Sequence, residues 1–406
     1  MSYTYTDKVK FAYTPNFDAF NRLRTSEPFT LFDSSNRYRD NGKFATSTSG
    51  TASSVFNTNQ GLVDLSIGTT LGDEVIRETY RVFSYQPGKS LLVMNTFVLG
   101  AAKPNLRQRI GYFDINNGVY FERAGTSSYI VKRSSVTGSV VNTRILQSDW
   151  NVDPMDGTGP SGVTLDFSKS QIFWSDFEWL GVGSVRTGFV VNGELIVCHV
   201  FHHANLITTT YMTTASLPVR YEISNTGNTT SASTLKQICS TVLSEGGYEL
   251  RGKQRSISTS LTSPYTLTLA NTYYPVISIR LKSSNLNAIA LPAGISLLPN
   301  SAGTYNYRVI KGGTTTGGTW VSAGSDSSIE YNITGTSFTG GTSTTTGFLS
   351  QTNQSSSQID IRDDIFRYQL DRNSFTSTAF EFTICVASNG AGDSIFGSID
   401  WEEITE

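Results

Sequence analysis

All three histidines of the chain fall within five residues, His199, His202 and His203, in the stretch CHVFHH. On a strand, side chains alternate between faces, so His199 and His203 share one face and His202 takes the other. A mononuclear metal site would need further ligands, such as Cys198 or a carboxylate. No spaced partner set accompanies the cluster, so it reads as sheet-end histidines bonded to backbone, and no metal is expected. Carboxylates gather at Asp149, Asp153 and Asp156 and again at Asp360, Asp363 and Asp364. The first group, in DWNVDPMDGTG, offers oxygens that suit calcium, but its spacing is not that of an EF-hand loop. Both groups read as solvated turn carboxylates. Glycoside hydrolysis needs two carboxyl groups facing one bond, and nothing in the sequence pairs Glu178 or Glu194 with a partner. No catalytic residue and no cofactor is assigned.

The aromatic block FWSDFEWLGVG carries the candidate glycan-binding residues, Trp174 and Trp179. Exposed indoles flanked by acids stack on sugar rings, whereas the odd spacing of this pair sends the two to opposite faces of a regular strand. At least one of them is therefore expected in the core. Gly88-Lys89-Ser90 has the ending of a phosphate loop, but Phe83 stands where that motif needs its first glycine, so the segment reads as a turn.

Positioning these residues falls to strands. The 406 residues include 103 Ser and Thr, 36 Gly and 12% aromatics, a composition that favours pleated sheet and turns over helix. From Tyr274 to Leu349 short β-branched runs alternate with Gly/Ser/Thr turns, among them a strand pair in YYPVISIRLKSSNLNAIALP. An all-β protein with two β-sandwich-like domains follows, at 46–252 and 253–406, preceded by an extended arm at 1–45. In the first domain, VRTGFVVNGELIVCHVF is a hairpin at 185–201 whose Asn192-Gly193 supplies the positive φ angles of a type I′ turn. The arm mixes aromatics and arginines without a period of two or 3.6, so it is expected to lie along another surface. Its contact residues are Phe11, Phe17, Phe20, Arg22, Arg24, Phe29, Phe32 and Arg37, either on the protein's own first domain or on a neighbouring subunit.

A net charge of −2 gives no field to draw nucleic acid, and no apolar run approaches the ~20 residues needed to span a bilayer. The N-terminus has no export signal, and the widely spaced Cys198, Cys239 and Cys385 read as unpaired thiols of a protein folded in a reducing cytoplasm. Between Gly312 and Leu349 the charged residues are Asp326 and Glu330 alone, so an edge strand there would lack its usual charged guards. A closed homo-oligomer, a trimer before a dimer, is the expected cover.

FDAFNRLRTSEPFTLFDSSNRY near the N-terminus, LNAIALPAGISLL followed by YNYRVIKGGTTTGGTWVS, and the closing FGSIDWEEIT resemble virion structural proteins of tailed bacteriophages, particularly aquatic ones. The resemblance implies a non-enzymatic accessory component of the virion, made in the host cytoplasm. Capsid decoration through the N-terminal arm comes first, with other virion proteins as partners. A tail or baseplate fibre subunit, or an adhesin that binds host-surface carbohydrate, is the alternative. The hairpin at 185–201 also resembles those of concanavalin-like lectin sandwiches.

Overall fold

The computed structural model describes residues 27–179, 182–351, 357–360 and 368–404. The chain is all-β, with two successive sandwiches and no helix beyond two short 3-10 turns among the described residues. No helix there is long and apolar enough to cross a membrane.

One sheet of the first sandwich runs β13 (Glu194–Phe201), β12 (Val185–Val191), β11 (Gln171–Phe177), β6 (Ser90–Val98), β15 (Ser233–Glu245), β4 (Leu62–Ile67), β3 (Ser53–Asn57). Strand β1 (Phe29–Ser35) also pairs β15, beyond the point where β4 leaves it. The facing sheet runs β10 (Val141–Leu146), β9 (Ser127–Ser134), β8 (Gly118–Ala124), β7 (Leu106–Phe113), β14 (Val219–Asn225), β5 (Glu74–Thr79), β2 (Phe44–Ser49). Every pairing is antiparallel, and alternate residues such as Leu91, Val93, Phe97, Phe173, Phe177 and Phe189 meet Ile110, Tyr112, Phe121 and Tyr221 in one core. The hairpin between β12 and β13 turns on Asn192 (φ 53°) and Gly193 (φ 85°), the two positive φ values its sequence requires.

In the second sandwich one sheet contains β16 (Lys253–Ser258), β28 (Asp393–Glu403), β19 (Ala290–Pro299) and β24 (Ser357–Asp360), with β17 (Tyr265–Leu267) also on β28. The other runs β21 (Val321–Ser322), β22 (Ile329–Asn332), β18 (Tyr274–Leu281), β27 (Glu381–Ser388), β20 (Thr304–Thr316), β23 (Ser337–Ser350), and β25 (Arg372–Asn373) with β26 (Thr378–Ala379) makes a separate ribbon. Strands β18 and β19, expected to pair, lie in different sheets. Their apolar residues, Ile277 and Ile279 on one and Ile295 and Leu297 on the other, face the same core from opposite sides. Cys198 and Cys385 are buried, Cys239 is half-buried, and none is disulfide-bonded.

One boundary needs correcting. Residues 29–45, assigned to the arm, are strands of the first sandwich, so this part lies on the protein's own domain: β1 is hydrogen-bonded to β15, and Phe32 is 6% exposed between Phe44 and Phe83. An aromatic without period in its own segment still acquires one when it joins a sheet. Strand β23 is an edge, and it carries no charged residue, but it has a protection that composition does not reveal. Its ladder with β20 slips between Val309 and Ile310, and Gly312, Gly340 and Gly341 stand at φ of 75°, 68° and 80°. Bulges of this kind twist an edge out of the regular row that another strand would extend.

The two sandwiches meet over Val82, Ile289 and Leu291, with Leu250 and Ile404 packed alongside. Around this patch Arg372 of β25 reaches Glu78 of β5 at 3.4 Å, and Asp371 lies between Arg81 (2.8 Å) and Lys311 (2.7 Å).

Candidate functional site

The histidines fall where alternation puts them: His199 and His203 are buried and His202 is exposed. Their ring nitrogens are used inside the fold. His199 Nδ1 accepts from the Asn151 backbone N–H at 3.3 Å, while His203 bonds the Gly183 carbonyl through Nδ1 (2.7 Å) and faces the Lys132 ammonium through Nε2 (2.8 Å). His203 must then be neutral with the proton on Nδ1, its ring stacked at 4.0 Å on Tyr211. Among the described residues no group of three or more His, Cys, Asp or Glu is placed to hold a metal ion.

Burial pulls both rings below the ordinary histidine value of 6.5, His199 to about 4 with some help from His202, and His203 despite its bond to Gly183. The unfolded chain then binds more protons than the folded one as acid is added. The stability these rings contribute is complete above about pH 6.5 and is lost as pH falls toward their folded values. Calorimetric scans should show Tm falling between pH 6.5 and 4.5, with a shallower slope in His199→Asn. A flat profile over that window would contradict the assignment.

Of the acidic groups, Asp153 is buried rather than solvated, its two oxygens accepting from Met155 N and Ser161 N at 2.8 Å each, so its loop is an internally satisfied turn. Asp360, Asp363 and Asp364 lie outside the residues whose side chains are described.

Trp174 points to the outer face of its sheet, yet is only 3% exposed. Its cross-strand partner on β12 is Gly188, where a Cβ would come 3.0 Å from Trp174 Cζ2 and 1.8 Å from the Ile196 carbonyl oxygen. The missing side chain leaves room for the indole, whose Cζ2 a Cβ there would crowd. Trp179 is half-buried, donates from Nε1 to the Met212 carbonyl (3.0 Å) and meets Tyr85 edge-on. Neither indole is an open sugar platform.

Of the arm residues, Phe11, Phe17, Phe20, Arg22 and Arg24 lie outside the described residues. Phe32 is core, Phe29 packs against Tyr248, and Arg37 is exposed with its guanidinium over the Tyr38 ring.

What the aromatic block does build is a cleft. Asp176 follows Trp174 by two on β11, and Glu178 continues that face just past the strand end. Lys89 comes from the turn before β6 and Ser90 from its first position, Ser184 from just before β12 and Arg186 from its start, and Glu245 from the end of β15. Together they line a depression of about 550 Å³. Arg186 grips one oxygen of Asp176, with Nε 2.9 Å from Oδ2, and Ser90 donates to Glu245 at 3.0 Å. Asp176 Oδ1 is buried without a partner, and so is Trp174 Nε1. The sequence already showed Asp176, Glu178 and Lys89, but Glu245 lies 67 positions from Glu178, and only the β15–β6–β11 pairing brings them together.

Neither a protein-family model nor a curated protein matches the chain. Solved structures do resemble it. The carbohydrate recognition domain of Emp47p aligns at 7% identity and a TM-score of 0.35, over 53% of this chain and 96% of that one. A legume lectin-like domain from Entamoeba histolytica aligns at 9% and 0.30, over 52% and 91%. A glycoside hydrolase family 16 endo-glucanase from Bacteroides ovatus aligns at 7% and 0.34, over 52% and 99%.

Proposed function

We propose that the chain is a carbohydrate-binding protein, an adhesin that takes a host-surface glycan into the cleft around Asp176 and binds it without cleaving it. The observation that carries this reading is the unpartnered buried Oδ1 of Asp176, a residue that lines the cleft. This oxygen can only accept a hydrogen bond. Leaving such a group unpaired costs about 1–3 kcal/mol. A hydroxyl both donates and accepts, and a sugar presents several of them at neighbouring ring positions. Arg186, with 57% of its side chain exposed, is the part that can swing aside to admit one. Glu178, Ser184, Ser90 and Lys89 around the rim extend the same mixed donor and acceptor chemistry. The virion setting implied by the sequence resemblance would give such a contact a use, particle attachment, and rests on that resemblance alone.

Calorimetric titration of the purified chain with bacterial surface oligosaccharides tests the proposal. Asp176→Ala is expected to weaken binding at least tenfold, ~1.4 kcal/mol, while circular dichroism stays unchanged. No reducing ends should appear on prolonged incubation. Absence of any glycan ligand, or release of reducing ends, would overturn it.

A further inference from the structure

The second sandwich has a recess of its own, at the end where β17 and the start of β18 meet the 333–336 turn. It measures about 420 Å³, within the ~300–1,000 Å³ usual for small-molecule sites. Its lining contains no Asp, Glu, Lys, Arg or His, in contrast to the Asp176 cleft. Two tyrosine rings form its wall, Tyr265 and Tyr274, with centroids 6.4 Å apart and planes at 51°. Both rings are held by their hydroxyls: Tyr265 donates to the Gly335 carbonyl, and Tyr274 accepts from the Leu269 backbone N–H at 3.1 Å. Their orientation is therefore set before any ligand arrives, which lowers the entropy cost of binding. Beside them the hydroxyls of Ser263, Thr266 and Thr268 stand exposed.

We propose that this recess is a second binding site, for an uncharged sugar ring. The C–H face of a pyranose matches an aromatic wall, and its hydroxyls match a rim of Ser and Thr. A charged ligand would be desolvated there without a counter-charge, and a purely apolar one would cover the hydroxyls without satisfying them. The site differs from the Asp176 cleft in domain, in charge and in its aromatic wall, so it does not depend on that reading. Two sites on one chain would also allow simultaneous engagement of a dense glycan surface, with a gain in avidity set by their effective concentration.

The test is saturation-transfer NMR on the full chain with methyl glucoside, methyl galactoside and methyl mannoside as probes, and methyl glucuronide as the charged comparison. Thr266→Glu with Thr268→Glu places two carboxylates in the recess at exposed positions that do not threaten folding. At least one neutral hexoside is expected to bind to the wild type and to the Asp176→Ala variant alike, and to lose at least tenfold in affinity in the double glutamate variant, with the glucuronide binding more weakly throughout. The proposal fails if no hexoside binds, if the double variant binds as wild type does, or if Asp176→Ala alone removes the signal. That last outcome would leave the first cleft as the sole sugar site, so the two readings fail separately.

Discussion

Replacing Glu78 by alanine is expected to cost the protein about 3–5 kcal/mol and to split its thermal unfolding into two transitions. Glu78 is 2% exposed, on the outer face of the second sheet of the first sandwich. One of its oxygens faces Arg220 Nη1 at 3.2 Å, while the other takes Ser374 Oγ and faces Arg372 Nη2 at 3.4 Å. The first arginine belongs to its own sheet, and the second comes from the ribbon of the other domain. Removing the carboxylate leaves two buried guanidinium groups, 3–5% exposed in side chain, without their counter-charge. The penalty is that of stranding charges, larger than the net worth of the pair. Arg220 keeps Glu222 at 3.3 Å, whose carboxyl stays below its ordinary value because Arg109, Arg220 and Arg107 outweigh its burial. Arg372 keeps hydrogen bonds to neutral groups, Asn287 Oδ1 and the Thr79 carbonyl, and no direct carboxylate contact among the described residues. The damage therefore falls mainly on the domain contact, which is why the two cores should come apart in a calorimetric trace. One cooperative transition at an unchanged Tm would refute the clasp.

The fold was readable in the sequence where local chemistry determines it. Asn192-Gly193 can adopt the hairpin turn it occupies, and the alternation through Phe173, Phe177 and Phe189 marks the inner face of its sheet. Sheet partnership was not readable, because it depends on residues far apart in sequence. Strands β18 and β19 are neighbours in the chain and belong to opposite layers, a choice made by the common core of Ile277, Ile279, Ile295 and Leu297 rather than by the segment between them. The arm shows the same limit, since Phe32 has no visible period until β15 supplies the sheet it joins.

The candidate site was half legible for the same reason. Trp174, Asp176 and Glu178 follow one another at intervals of two, so a strand must place them on one face, and that much is arithmetic. The room that Trp174 occupies depends on Gly188, fourteen positions away, and Glu245 arrives from the far end of β15. One signal could have pointed to the cleft. Polar residues on strand faces flanking a buried aromatic block are expensive unless something satisfies them, and Asp176 sits inside such a block.

Trp401→Ala should destabilise the second sandwich by about 3–5 kcal/mol, the range for truncating a fully buried tryptophan. Trp401 is 1% exposed on β28, the strand that pairs with β16, β17 and β19 and so ties most of its sheet together. The loss combines the buried indole, the cavity left behind and the bond from Nε1 to Glu403 Oε1 at 2.9 Å. Glu403 also takes Ser327 Oγ (2.6 Å) and the Ser328 backbone N–H (2.8 Å), bonds that hold the approach to β22. Phe348→Ala is the control, because that ring is 77% exposed on β23 and should change stability by no more than ~0.5 kcal/mol. In the wild-type background the clasp at Glu78 should transmit the damage, so that Trp401→Ala lowers a single transition. With Glu78→Ala also present, only the second-domain transition should fall while the first stays put. The two substitutions are then non-additive in a thermodynamic cycle. Strict additivity, or two resolved transitions from Trp401→Ala alone, would mean that the sandwiches fold independently and that the buried Glu78–Arg372 contact joins them without coupling them.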